Sequence, residues 1–154
     1  MVNKKISDIT DINTFNNKTF VTKSYMQTKQ LAKEFAKVLK PKDIVLFNGD
    51  LGAGKTTFIQ GVMAYFGIKK FVRSASFMLV SEFETKNINL YHLDLYRLNT
   101  ADIFGLGIEE YLFGNGISFV EWSQRLPKDS IKKYWEVSLE YIDDNTRKIT
   151  IRKH

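Results

Sequence analysis

Ile44-Val45-Leu46-Phe47-Asn48-Gly49-Asp50-Leu51-Gly52-Ala53-Gly54-Lys55-Thr56-Thr57 is the stretch on which the reading of the fold turns. The apolar run Ile44 to Phe47 has the length and composition of a buried strand. It leads directly into Gly49 to Thr56, which meets G-x-x-x-x-G-K-[ST] at each fixed position. Phe58, Ile59, Val62, Met63 and Phe66 then recur at helical spacing. Strand, glycine loop and helix together form the setting that a phosphate-binding loop requires. Given how often Gly, Lys and Ser/Thr occur, a chance match in such a chain has odds on the order of 1% or below.

The residue types follow from the chemistry. Gly52 and Gly54 allow backbone torsions closed to other residues and bring N–H groups around phosphate oxygens. The helix starting near Lys55 aims its positive dipole end at the same place. Lys55 is expected to reach the β- and γ-phosphates, and the Thr56 hydroxyl to ligate Mg²⁺. The expected nucleotide-binding run is therefore Asp50, Leu51, Gly52, Ala53, Gly54, Lys55, Thr56 and Thr57.

Outward from the loop, 154 residues suit one domain large enough to bury a core. Hydrophobic content of 44% and aromatic content of 14% point to a folded globular chain. No apolar run approaches the ~18 residues of a membrane span, and the first residues lack the apolar core of a signal peptide. The absence of cysteine excludes disulfides, thiolate metal sites and thiol nucleophiles. A soluble, cytoplasmic protein without membrane partners is expected. The net charge of +6 comes from lysines scattered along the chain rather than blocked together, which reads as a solvated surface and does not indicate direct nucleic-acid binding.

In chain order, residues 1–18 read as an N-terminal extension, flexible or a short added element, and residues 19–154 as a single P-loop ATPase domain. Phe20-Val21 suggests a first strand. A helical pattern from Met26 to Lys40 is stopped by Pro41, and Gly67 suits the end of the helix after the loop. Strands are expected at Ser74–Phe83, Ile88–Leu93 and Ile117–Val120, with short helical pieces around Thr100–Asp102 and Ile108–Phe113. Trp135, Val137, Leu139 and Tyr141 alternate with polar residues and open an antiparallel hairpin that returns through Ile149 and Ile151. The layout is α/β: a mostly parallel central sheet with flanking helices and added antiparallel strands.

Hydrolysis or transfer needs a further carboxylate at the end of a neighbouring strand. Two positions compete, Asp94 after Leu90-Tyr91-His92-Leu93 and Glu121 after Ile117-Ser118-Phe119-Val120. Both sit where a buried strand reaches the ligand edge of an open α/β sheet, and the spacing does not choose between them for the metal. His92 alternates with Leu90 and reads as a core histidine.

The combination of GDLGAGKTT, S-x-S-F-x-L-V, YHLDLYRL and FVEW resembles the TsaE (YjeE) family, the small ATPases of bacterial tRNA threonylcarbamoyladenosine (t6A) biosynthesis. The resemblance runs from about Phe20 to the C-terminal hairpin. It implies a P-loop NTPase fold, ATP and Mg²⁺ as cofactors, and weak hydrolysis stimulated by partner proteins TsaD and TsaB. Those partners modify adenosine 37 of tRNAs reading ANN codons, so contact with tRNA is expected to be indirect. Carried over by motif, Thr56 and Glu121 become Mg²⁺ ligands and Asp94 the catalytic carboxylate. Trp122 would sit beside the nucleotide or a mobile loop, and Ser74 and Ser76 would belong to a switch-like segment. The family's Ser-Pro-Thr is Ser74-Ala75-Ser76 here, which removes a torsional restraint and implies a more mobile loop.

Two other functions use the same loop. A small-molecule kinase would need an arginine-bearing lid, for which the stretch between Asp94 and Glu121 offers only Arg97, with Arg125 just after. A nucleotide-gated binding module would use Lys55, Thr56 and Glu121 without turnover. By position, Tyr25 and Arg147 are candidates for the adenine pocket.

Overall fold

The structure, a computed structural model, describes residues 11–70 and 79–154. Seven strands form one sheet in the order β1-β7-β6-β2-β5-β4-β3: β1 (Lys18–Thr22), β2 (Ile44–Asn48), β3 (Val80–Glu84), β4 (Asn89–Asp94), β5 (Ile117–Glu121), β6 (Trp135–Tyr141) and β7 (Arg147–Lys153). The middle strands β6, β2, β5 and β4 are mutually parallel, and β1, β7 and β3 pair antiparallel at the margins. The expected architecture is borne out. What local patterning did not indicate is that β6, the first arm of the hairpin, inserts parallel beside β2, with Val45 opposite Trp135.

Strand β2 sits between two parallel neighbours, which is why Ile44 to Phe47 are all buried. On one face lie α1 (Tyr25–Ala36) and α2 (Lys55–Tyr65), packed over a core of Phe35, Phe47, Phe58, Phe119, Trp135 and Val137. The other face buries Ile44, Leu46, Leu93 and Val120 under a 3₁₀ segment (Thr100–Leu106), the short helix α3 (Glu109–Leu112) and the loop around Leu126 and Ile131. The two helices nearly touch. A Cβ at Gly61 would lie 2.6 Å from the Lys29 carbonyl oxygen and 2.7 Å from the Ala32 Cβ. Phe15, within the expected extension, is fully buried against Phe20 and Phe35.

Three local differences from expectation have physical causes. Helix α1 ends at Ala36 rather than Lys40, because Pro41 disfavours helical torsions at the residue before it and clashes with the carbonyl four back. The chain instead tightens through i→i−3 bonds, Val38 N–H to Phe35 and Leu39 N–H to Ala36. Tyr141 continues the buried alternation of β6 in sequence but is 53% exposed, since it forms the last pair of the hairpin, opposite Arg147. Residues 100–106 form 3₁₀ turns rather than an α-helix and stop at Gly107, whose φ is 75°. Among the described residues no helix is long and apolar enough to cross a membrane.

Candidate functional site

Parallel strands end at a common edge, so register decides which residues meet. Asp94 is paired with Glu121, and Glu121 with Phe47, the penultimate residue of β2. Across the other half of the sheet, Asn48 pairs with Ser138, Tyr141 with Arg147, and Arg147 with Thr22 of β1. The glycine loop, Asp94, Glu121, Trp122 and Arg147 thus share one edge. Tyr25 joins them, three residues beyond Thr22. Its placement is secured by a buried bond between the Thr22 and Thr28 hydroxyls (2.7 Å) and by Ser24 capping Gln27 N–H at 3.1 Å. Tyr25 is 64% exposed, with the Lys29 ammonium 5.5 Å from its ring centre. Ser74 and Ser76 lie outside the described residues.

The loop turns tightly. Gly49 has φ of 148°, and a Cβ there would lie 2.6 Å from the Leu139 carbonyl oxygen of β6. Only glycine lets the chain leave β2 so close to its neighbour. Ala53 is buried and its N–H returns to the Asp50 carbonyl at 3.0 Å. Gly54, with φ of 101°, is the N-cap of α2 and supplies no side-chain cap, so the first N–H groups of the helix face the loop interior. Leu51 and Gly52 form the exposed tip, while Thr56 and Thr57 are half-buried on the first helical turn. The Lys55 ammonium donates to the Gly49 carbonyl and lies 5.4 Å from the Trp122 ring centre.

Arg147 ties the C-terminal hairpin to this loop. Its guanidinium donates to the carbonyls of Asp143 (2.6 Å), Thr146 (3.0 Å) and Gly52 (3.2 Å), and stacks 4.7 Å over the Tyr141 ring. Its Nε is buried beside Gly54 without a hydrogen-bond partner among the described residues. The turn is held by Asp143, whose carboxylate accepts from the N–H groups of Asn145 and Thr146 at 2.9 and 2.8 Å. Those bonds, the Asn145 N–H first, hold its pKa below the usual carboxylate value.

The two carboxylates differ in environment. Because side chains alternate, His92 and Asp94 on β4 and Phe119 and Glu121 on β5 face the α2 side of the sheet, where Phe119 enters the core with Phe47 and Phe58. Asp94 is half-exposed and accepts the Tyr96 N–H at 3.1 Å. Glu121 is only 4% exposed, and its Oε2 lies 2.8 Å from Nε2 of the fully buried His92. His92 therefore does more than fill the core: it holds the carboxylate expected at the metal. The period-two spacing of His92 and Asp94 put both on one face, but linking His92 to Glu121 required the register of β4 against β5. Trp122 adopts φ of 59° and packs 4.8 Å from the Tyr96 ring.

Among the described residues no group of three or more His, Cys, Asp or Glu is arranged to hold a metal unaided. Magnesium suits a sparser set, since it takes hard oxygens, keeps several waters and binds through one or two carboxylates plus phosphate oxygens. The Thr56 hydroxyl, the Asp94 carboxylate and the Glu121 oxygen not engaged by His92 are donors of that kind.

Known proteins share much of this sequence and of this fold. The family described as "Threonylcarbamoyl adenosine biosynthesis protein TsaE" matches residues 22–149. The tRNA threonylcarbamoyladenosine biosynthesis protein TsaE of Rickettsia typhi is 43% identical over 132 residues, covering 84% of this chain and 91% of that protein. The protein of the same name from Bacillus subtilis is 36% identical over 124 residues, covering 80% and 78% respectively. The crystal structure of YdiB from Bacillus subtilis superposes with a TM-score of 0.72 at 32% identity, covering 88% of this chain and 84% of that one. The fold is that of the P-loop NTPases.

Proposed function

The chain belongs to the TsaE family, and on that premise we propose that residues 19–154 act as one Mg²⁺-dependent ATPase unit in t6A formation. The observation that carries this reading is the convergence of the loop, Glu121 and Asp94, through the pairs Phe47–Glu121 and Glu121–Asp94, on one sheet edge.

In this reading the N–H groups from Gly52 to Thr57 surround the β- and γ-phosphates, and Lys55 leaves the Gly49 carbonyl to meet them. Thr56 and Glu121 hold Mg²⁺, which when bound neutralises charge developing on the phosphate oxygens. Asp94, more exposed than Glu121, orients the attacking water. Trp122 closes over Lys55 and limits solvent access. Tyr25 and Arg147 flank the purine, Arg147 with its Nε toward the loop. Ser74 and Ser76 would complete the γ-phosphate side.

Turnover by the isolated chain is expected to be slow and to rise in complex with TsaD and TsaB, in the cytoplasm, with those partners carrying out chemistry on tRNA. The test is phosphate release from ATP by the purified chain, with and without TsaD–TsaB and with Mg²⁺ or excess EDTA. Release that needs Mg²⁺ and increases with the partners supports the proposal. Nucleotide binding with no release under any of these conditions refutes turnover and leaves the gated module.

A further inference from the structure

Part of the positive charge that is scattered in sequence is brought together in space. Strands β1, β7, β6 and β2 are consecutive neighbours in the sheet, and at the edge remote from the glycine loop each presents an exposed cation. Lys18 opens β1, and Lys153 closes the antiparallel β7 opposite Trp135. Lys133 comes two residues before β6, and Lys42 two before β2. Lys42 is fixed there by its N–H bond to the Gly116 carbonyl at 2.9 Å, and the start of β6 by reciprocal backbone bonds between Tyr134 and His154. With neighbouring strands ~4.8 Å apart, the row spans roughly 15 Å. Lys40 and Lys132 thicken it.

Little negative charge answers this row. Glu34 pairs with Lys37 at 2.6 Å, and Glu136 with Arg152 and His154 at 3.7 and 3.2 Å. The Asp43 carboxylate, next to Lys42 in the chain, caps the Lys40 N–H and is the one acidic side chain standing within the row among the described residues. Among the described residues no ion pair engages Lys18, Lys42, Lys133 or Lys153, and the Lys153 ammonium lies 4.9 Å from the Trp135 ring centre. Of the large exposed apolar side chains, Val21, Tyr25, Met26, Leu51, Tyr141 and Ile142 lie toward the loop edge, while Tyr65 at the end of α2 and Phe113 just before β5 lie at the other end, neither of them on β1, β7 or β6.

A protein interface would need buried apolar anchors, and a membrane surface an apolar face to insert. A phosphate backbone needs only charge at spaced positions. We propose that this row, on the edge opposite the nucleotide site, binds the phosphate backbone of RNA, and that in a chain of a tRNA-modifying family the RNA is tRNA held directly. The inference rests on the family's tRNA pathway and not on whether the chain hydrolyses ATP.

The experiment is fluorescence anisotropy of a labelled tRNA transcript with the full chain across a salt series. Contacts at four phosphates predict affinity falling about 50- to 150-fold between 50 and 200 mM salt. The variant Lys18→Gln/Lys42→Gln/Lys133→Gln/Lys153→Gln is expected to bind tRNA at least tenfold more weakly with a nearly flat salt response, while keeping the wild-type rate of phosphate release. Lys23→Gln/Lys148→Gln, toward the loop edge, is expected to change tRNA affinity less than twofold. Equal tRNA affinity of the fourfold variant and wild type overturns the proposal. So does capture of wild type by phosphatidylserine vesicles without tRNA binding. Loss of phosphate release in the wild-type chain with tRNA binding intact would count against the ATPase reading and leave this inference standing.

Discussion

Replacing His92 with Leu removes the only hydrogen bond to the Glu121 carboxylate found among the described residues. The pair is dry: His92 is fully buried, Glu121 is 4% exposed, and Nε2 to Oε2 is 2.8 Å. Water cannot readily replace the lost partner, so Glu121 must find another rotamer, take up a proton or stay uncompensated. A hydrogen bond to a charged group contributes about 1.5–3 kcal/mol. Loss of a residue that orients a metal ligand typically costs 10- to 100-fold in metal affinity, which is about 1.4–2.7 kcal/mol. The two estimates agree, so Mg²⁺-dependent nucleotide affinity should drop roughly 10- to 100-fold. The assay is calorimetric titration of ADP with Mg²⁺ and with EDTA, so that no turnover intervenes. His92→Leu should lose the Mg²⁺ enhancement but keep the EDTA affinity, because the loop and α2 are untouched. His92→Gln, whose Nε2 can stand in for the imidazole donor, should recover most of the enhancement. If both variants weaken ADP equally with and without Mg²⁺, His92 is merely structural and the positioning argument fails.

Three further outcomes are expected. Glu121→Ala should reduce Mg²⁺-dependent ADP affinity more than Asp94→Ala, while Asp94→Ala should reduce phosphate release more than binding; calorimetry beside a phosphate assay checks both, and the reverse ranking means their roles are exchanged. Gly49→Ala forces a Cβ to 2.6 Å from the Leu139 carbonyl in a positive-φ conformation and should cost on the order of 1–3 kcal/mol, read as a lowered thermal midpoint together with weaker nucleotide binding. Because the folded pKa of Asp143 is depressed, its contribution to stability is present above the ordinary carboxylate value of about 3.9 and is lost as pH falls through the folded value. Thermal melts of wild type and Asp143→Ala should therefore converge as pH is lowered below about 4, and a constant difference across that range would contradict the turn assignment.

How much was legible beforehand depended on how local the cause was. The glycine loop announced itself because its torsions demand particular residues at fixed spacing, and buried strands such as Ile117–Val120 because parallel neighbours on both sides leave them no polar face. Arg147 and Tyr25 could be named only by position, since their place at the loop edge follows from β7 lying beside β6 and β1 beside β7. The His92–Glu121 pair and the basic row were not legible for the same reason. Both depend on which strands are neighbours and where each one ends, and those pairings link residues far apart in the chain. Helix α1 stops at Ala36, short of the Lys40 to which its apolar pattern extends, because Pro41 acts on the residues before it.

The chain contains two tryptophans, and the fold places them in opposite circumstances. Trp135 is fully buried, edge-on to Phe35 at 5.2 Å and with the Lys153 ammonium 4.9 Å from its ring centre, whereas Trp122 is half-buried beside the Lys55 ammonium at the mouth of the loop. Indole emission responds to nearby charge and to water. The two rings are consequently separate optical channels, one sensing cohesion of the molecule and the other arrivals at the loop. With Trp122→Phe as the blank, ligand occupancy and unfolding can be followed in a single cuvette without any added dye.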